Sequence, residues 1–194
     1  AQLWSFSRLG VRFGERRVEV RGGGGGAKGV SEEWELRDFL AYLERGADGD
    51  ADPRYVFESR VWPELDNEYD ASVGGAFPFD FYTQLQERRP RYRWLLMGPR
   101  RSGSRPHIDP DATSAWNALL VGRKRWALLD PAALQSGLAT ASDVEAGSLS
   151  AAEWFRDRLP NLRKRCLGYL REHLQEPGEV MYVPAGVWHA VLNV

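Results

Sequence analysis

The sequence predicts a mainly β fold with flanking helices, a β-sandwich or jelly roll, and three observations carry that prediction. Short apolar–polar alternations recur along the chain, bounded by glycine and proline. Helical signals gather at the front and in one insertion, about residues 132–176, instead of alternating with the strands as a parallel α/β sheet would require. No internal repeat period is present. The chain divides into a flank, residues 1–53, made of strands, a glycine-rich loop and a helix, and a β core, residues 54–194, that carries the insertion.

In chain order, Leu9, Val11 and Phe13, followed by Val18 and Val20, alternate as a strand pair would. Gly22 to Gly26 is a run of five glycines that no regular element tolerates, and it reads as a flexible loop. It is not a phosphate cradle, because neither a GxxxxGK[ST] pattern nor a GxGxxG pattern opening a helix follows. Ser31 is expected to cap a helix with Glu32 and Glu33 in its first turn, Leu36, Phe39, Leu40 and Leu43 on its apolar face and Gly46 at its end. The segment 54–58 (RYVFE) reads as a strand, 77–85 (FPFDFYTQL) as a short helix or turn, and 91–97 (RYRWLLM) as a strand closed by Gly98-Pro99. Residues 114–121 and 124–129 read as strands of a hairpin around Gly122-Arg123. Ser150 and Glu153 form a capping box that opens a helix running through Leu159 and broken at Pro160, with a second helix over Leu162 to Leu174. Strands at 179–183 and 187–193 are joined by a Pro184-Ala185-Gly186 turn.

Composition narrows the function classes. A chain of 194 residues with 43% apolar and 12% aromatic residues can bury one real core. With 26 basic against 27 acidic residues, net charge −1, there is no electrostatic reason to expect direct nucleic-acid or acidic-membrane binding. The single cysteine, Cys166, excludes an intrachain disulfide, points to a reducing compartment and reads as a small apolar filler in a helix. No stretch approaches the roughly 20 apolar residues of a membrane helix, and no signal peptide is visible. The first residue is not Met and the last follows an apolar run, as expected of a segment within a longer protein. The Arg163-Lys164-Arg165 triplet is too short for a nuclear signal and fits an exposed helix face. Oligomeric state is not encoded in any pattern here.

There are three histidines. His107 and Asp109 stand at i and i+2, which on extended backbone puts an imidazole and a carboxylate on one face. His189 lies far downstream past a Pro/Gly turn, where a jelly roll can return it beside that pair. Two histidines and a carboxylate with three positions left open is the ligand set of non-haem Fe(II) oxygenases. On spacing alone a second reading stands beside it, with a loop His and Asp capping local backbone and His189 a satisfied core histidine. His173, after Arg171-Glu172, reads as an exposed helix residue without a role.

The residues around these positions form ordered blocks: Gly98-Pro99 through His107-Ile108-Asp109-Pro110, Thr113 to Asn117, Gly122 to Trp126, and Pro177-Gly178-Glu179 through Val183-Pro184-Ala185-Gly186-Val187-Trp188-His189 to Asn193. Upstream, Tyr55-Val56-Phe57 and Tyr92-Arg93-Trp94 fit the same pattern. Together they resemble the Jumonji-C (JmjC) oxygenases, with the nearest likeness to the branch described as lysyl hydroxylases and arginine demethylases and to its plant and fungal F-box relatives. The resemblance covers most of 54–131 and 177–194; the flank and the insertion match loosely. It implies a cupin-like double-stranded β-helix, C-terminally truncated here, since the family's co-substrate threonine after the second iron histidine falls beyond Val194.

The resemblance further implies that His107, Asp109 and His189 bind Fe(II), that Lys124 pairs with the distal carboxylate of 2-oxoglutarate, that Asn117 hydrogen-bonds near it, and that Tyr55 lines the same pocket. A buried dicarboxylate needs such a cation and donors to offset its desolvation. Trp116, Trp126 and Trp188 read as packing. The implied activity is a dioxygenase using O₂ and 2-oxoglutarate to hydroxylate a basic side chain of a protein or peptide. The alternatives are an N-methyl-arginine or N-methyl-lysine histone demethylase and a non-catalytic JmjC scaffold. The implied location is nuclear or cytoplasmic, with the nucleus favoured.

Overall fold

The computed structural model describes residues 4–22, 31–60, 62–72, 79 and 81–194. Most of the five-glycine run lies outside these residues, as do Phe77, Pro78 and Asp80 of the expected 77–85 helix or turn; from Phe81 to Arg88 the chain is a kinked 3-10 helix.

The front of the chain differs from its expected strand pair. Phe6–Phe13 is a helix, α1. Leu9 and Phe13, four apart, satisfy both a strand and a helix period. Val11 decides between them, because it is 89% exposed while Leu9 and Phe13 are buried. Strand β1 (Arg17–Arg21) buries Val18 and Val20 and pairs antiparallel with β2 (Ser31–Glu35). Ser31 is therefore the start of a strand and not a helix cap, and helix α2 begins only at Leu36 and runs to Arg45. Its apolar face is the expected one: Leu36 and Phe39 are buried, with Leu40 and Leu43 packed beside them, and Gly46 ends it.

Strand β3 (Tyr55–Glu58) pairs with β1 and with β4 (Leu95–Met97), which is shorter than the expected 91–97 strand, giving a four-stranded sheet in the order β2-β1-β3-β4. Helix α3 (Pro63–Ser72) and both earlier helices cover it, closing a core of Leu9, Phe13, Val20, Phe39, Val56 and Leu65.

A second four-stranded sheet has the order β5-β10-β7-β8, from Gly103–His107, Trp188–Asn193, Lys124–Leu129 and Leu170–Gln175. All its pairings are antiparallel. Opposite it lies a two-stranded sheet of β6 (Ala115–Ala118) and β9 (Val180–Val183). Trp126 and Val191 from the larger sheet meet Val183 and Met181 from the smaller one between them. The Gly122-Arg123 turn thus closes no hairpin: β6 and β7 belong to different sheets, and so do β9 and β10 across Pro184-Gly186. Consecutive strands that change sheets make the jelly roll.

The insertion packs on the outer face of the larger sheet. Short helices α4 (Ala132–Gln135) and α5 (Ala141–Val144) lead to α6 (Ala151–Asp157) and α7 (Leu159–Arg165). The expected capping box is present, with the Ser150 amide donating to Glu153 Oε2 at 2.8 Å and the Glu153 amide donating to Ser150 Oγ at 3.2 Å. Pro160 does not break the first helix; it sits in the opening turn of the second, where its missing N–H costs nothing. Trp154, Phe155, Leu159, Leu162 and Cys166 fill the space against Ala127, Leu129 and Ala190. The expected helix over 162–174 ends at Arg165, and 170–175 is the edge strand β8. Cys166 is the buried filler expected, just past the helix end. Arg163, Lys164 and Arg165 are exposed on α7. Among the described residues no helix is long and apolar enough to cross a membrane.

Candidate metal centre and the adjoining pocket

His107 ends β5, and across the ladder it stands directly opposite His189 on β10. Cross-strand partners project to the same side, and the two imidazole centroids are 4.1 Å apart. Asp109 follows two residues on, with extended backbone, and its Oδ1 lies 3.7 Å from His107 Nε2 and 3.8 Å from His189 Nε2. One donor atom from each of the three residues falls within 4.8 Å of the others.

The pairing depends on a close approach. A Cβ on Gly103 would collide with the Val191 carbonyl, so only glycine lets β5 run this near to β10. The ladder shifts register between His189 and Val191, which aims His189 at its partner.

Each histidine is oriented by its own strand. His107 Nδ1 is 2.7 Å from the Arg105 carbonyl, and His189 Nδ1 is 3.1 Å from the Val187 carbonyl. A carbonyl only accepts, so both Nδ1 atoms carry the proton and both Nε2 lone pairs face the shared point. Burial, reinforced by neighbouring His107, pushes the His189 imidazole below its ordinary value, against the opposing pull of the Val187 carbonyl and Asp109. The neutral form is the ligand form. Two neutral nitrogens and one carboxylate on one side suit a divalent transition metal and leave other positions open.

Beside the triad is a cavity lined by Tyr55, Asn117, Lys124 and Trp126, together with Ser104 and Asn193. Two of its polar groups are under-satisfied. Burial alone pushes the Lys124 ammonium down to about 8, and no carboxylate among the described residues pairs with it. The Asn117 side-chain oxygen is buried without a hydrogen-bond partner. Tyr55 is buried, and its phenol is pushed up chiefly by that burial, against the pull of Arg21. A desolvated cation without a counter-charge is a costly arrangement unless an anion completes it, whereas the Asn117 oxygen is an acceptor and calls for a donor. The donor set therefore fits a carboxylate-bearing ligand next to a metal.

All six residues singled out in the sequence gather in these two adjoining sites. Two further residues drew no notice. Asn193 donates to Ser102 Oγ at 2.9 Å, and alternation from His189 through Val191 was the signal that puts it on the pocket face. Gln175, fully buried at the end of β8, had no signal, because its segment reads as a helix. His173 is on an exposed strand and not a helix, its Nε2 3.1 Å from Glu179 Oε2, away from the triad. Trp126 is buried and lies at 29° to the His189 ring with centroids 6.3 Å apart, so it packs on the centre as well as in the core.

The sequence profile of the cupin-like domain matches residues 15–193. Over 203 aligned residues the chain is 38% identical to Lysine-specific demethylase JMJ21 of Arabidopsis thaliana, an alignment that takes in 100% of this chain and 20% of that protein. It is 39% identical over 150 residues to Arginine-specific demethylase JMJ22 of the same plant, across 73% of this chain and 29% of the relative. It is 34% identical over 203 residues to Bifunctional arginine demethylase and lysyl-hydroxylase psr-1 of Caenorhabditis elegans, across 98% of this chain and 48% of the relative. The chain spans less than half the length of each of these relatives. The jelly roll, the triad at its strand ends and a profile match over nearly the whole chain agree, and the chain belongs to the cupin-like domain family.

Proposed function

We propose that this chain carries the centre of an Fe(II)- and 2-oxoglutarate-dependent dioxygenase that hydroxylates a lysine or arginine side chain of a protein. The observation that supports it most is the pairing of the His107, Asp109 and His189 cluster with a neighbouring pocket whose Lys124 cation lacks an anion. In this reading Nε2 of both histidines and the Asp109 carboxylate hold the iron. Lys124 receives the far carboxylate of 2-oxoglutarate, Asn117 hydrogen-bonds beside it, and Tyr55 walls the same space. With O₂, the iron and 2-oxoglutarate together supply an oxidative decarboxylation that yields succinate, CO₂ and a hydroxylated substrate carbon.

The protein's own work is orientation and exclusion. The Arg105 and Val187 carbonyls hold the imidazoles in the ligand tautomer. Trp126, Val183 and Val191 surround the centre with apolar surface, which strengthens the Lys124–carboxylate attraction by keeping water out.

N-methyl demethylation is a second reading, favoured by the names of two relatives, which are demethylases of lysine and of arginine. Hydroxylation of an N-methyl carbon would release formaldehyde, so the same centre serves both outcomes. A non-catalytic scaffold is disfavoured by the complete ligand set. An intracellular location, with the nucleus favoured, belongs to the same proposal.

The test is anaerobic titration of the protein with Fe(II) and 2-oxoglutarate, followed by exposure to O₂. A weak visible charge-transfer band and succinate formation are expected, and His107→Ala abolishes both. Absence of band and succinate in the wild-type protein sinks the proposal. Mass spectrometry of basic peptides after turnover separates a gain of oxygen from the loss of a methyl group.

A further inference from the structure

Gln175 is the last residue of β8, fully buried, and pairs across the ladder with Lys124. Its amide makes three hydrogen bonds to three different strands or loops. Nε2 donates to the Asn117 carbonyl at 2.8 Å and to the Glu179 carbonyl at 3.0 Å, while Oε1 accepts from Trp126 Nε1 at 2.8 Å. Carbonyls only accept and an indole N–H only donates, so the partners fix which end of the amide is which. The larger sheet is thereby pinned to β6 of the smaller sheet at the residue whose side chain enters the pocket. On its other side Gln175 holds the indole that packs on His189. Both contacts are to residues that line the pocket, while Gln175 is not itself among its lining residues.

We infer that Gln175 is a positioning residue that sets the depth of Asn117 in the co-substrate pocket, and it acts through Asn117 and not as a ligand itself. The inference rests on the reading of that pocket as the 2-oxoglutarate site. The reason for an amide here is chemical. A buried glutamate cannot donate to two carbonyls, and an apolar side chain leaves two carbonyls and an indole N–H without this partner in a dry interior. Asn117 is then free to follow its strand away from Lys124.

The test is a double-mutant cycle on the intact protein, loaded with Mn(II), which binds 2-oxoglutarate without turnover, and read as the 2-oxoglutarate Kd by calorimetry. Gln175→Met is expected to weaken binding about tenfold, the loss of roughly one well-made hydrogen bond's worth of placement. Asn117→Ala weakens it comparably, and the double variant binds no more than about twofold worse than Asn117→Ala alone, since the two act along one route. A merely structural role predicts effects that multiply in the double variant. Multiplying effects, a Gln175→Met Kd within twofold of wild type, or weakening by Gln175→Met with none by Asn117→Ala each overturn the inference. If Gln175→Met does not fold, Gln175→Asn keeps the amide but is too short to reach all three partners, and the same cycle applies. Lys124→Ala separates the two readings. If it leaves 2-oxoglutarate binding intact, the pocket assignment has failed; if it abolishes binding while Gln175→Met does not weaken it, only the positioning role has failed.

Discussion

At the scale of single residues, Lys124 makes the sharpest demands. Its folded-state value of about 8 lies below the value of about 10.4 expected in an unfolded chain. Carboxylate binding needs the charged form, so 2-oxoglutarate affinity should fall as pH rises through about 8, measured by calorimetry across that range. Stability runs the other way. Below pH 8 both states are protonated and the ligand-free fold bears the full cost of a buried charge. Between about 8 and 10.4 the unfolded chain holds more protons, so stability rises with pH there, by up to about 3 kcal/mol from this one group. Lys124→Met should accordingly raise the thermal midpoint of the ligand-free protein while abolishing 2-oxoglutarate binding; a lowered midpoint would contradict the burial argument. The i and i+2 spacing of His107 and Asp109, with His189 returning across the fold, was visible in the residues themselves, whereas Asn117, Lys124 and Tyr55 were picked out only by the family resemblance; the fold gathers all six. Gln175 was not, because an isolated glutamine in a Leu- and Glu-rich stretch has no pattern until its partners arrive from three other segments.

At the scale of elements, the ladder between β5 and β10 carries the geometry of the centre. Gly103→Ala places a methyl group against the Val191 carbonyl, and relief of that collision must separate the strands. The expected result is a loss of roughly 2–4 kcal/mol in denaturant unfolding together with weakened metal binding, read by Co(II) absorption. The capping box gives the contrasting case: Ser150→Ala should cost about 1 kcal/mol of stability with metal binding unchanged, because α6 lies on the outer face of the sheet. Elements were less legible than residues wherever tertiary pairing outweighed local preference. Ser31–Glu35 and Leu170–Gln175 are rich in Glu and Leu, good helix formers, yet each completes the edge of a sheet. The buried alternation of Val18 and Val20 was read correctly, since a half-buried strand announces itself by period.

At the scale of the whole molecule, the two β layers and the helical cover were predictable from the distribution of signals, but which strand joins which sheet was not. A turn such as Gly122-Arg123 looks the same whether the chain folds back beside itself or crosses to the opposite layer, and only long-range pairing distinguishes them. The same non-local pairing ties the flank to the core: β1 supplies the neighbour of β3, and α1 and α2 bury Val56 and Met97. Residues 54–194 made without the flank should therefore expose the β3 edge and a large apolar face. Aggregation or rapid proteolysis is the expected outcome, and a soluble, cooperatively unfolding fragment would show the flank to be dispensable.

The two carbonyls that fix the histidine tautomers belong to the main chain of the strands that carry those histidines. An orienting side chain can be lost by a single codon change; a peptide carbonyl two residues back cannot. The side chains of Arg105 and Val187 are thus relieved of orienting the ligands, and Arg105 instead donates to the Gly147 carbonyl at the edge of the helical insertion.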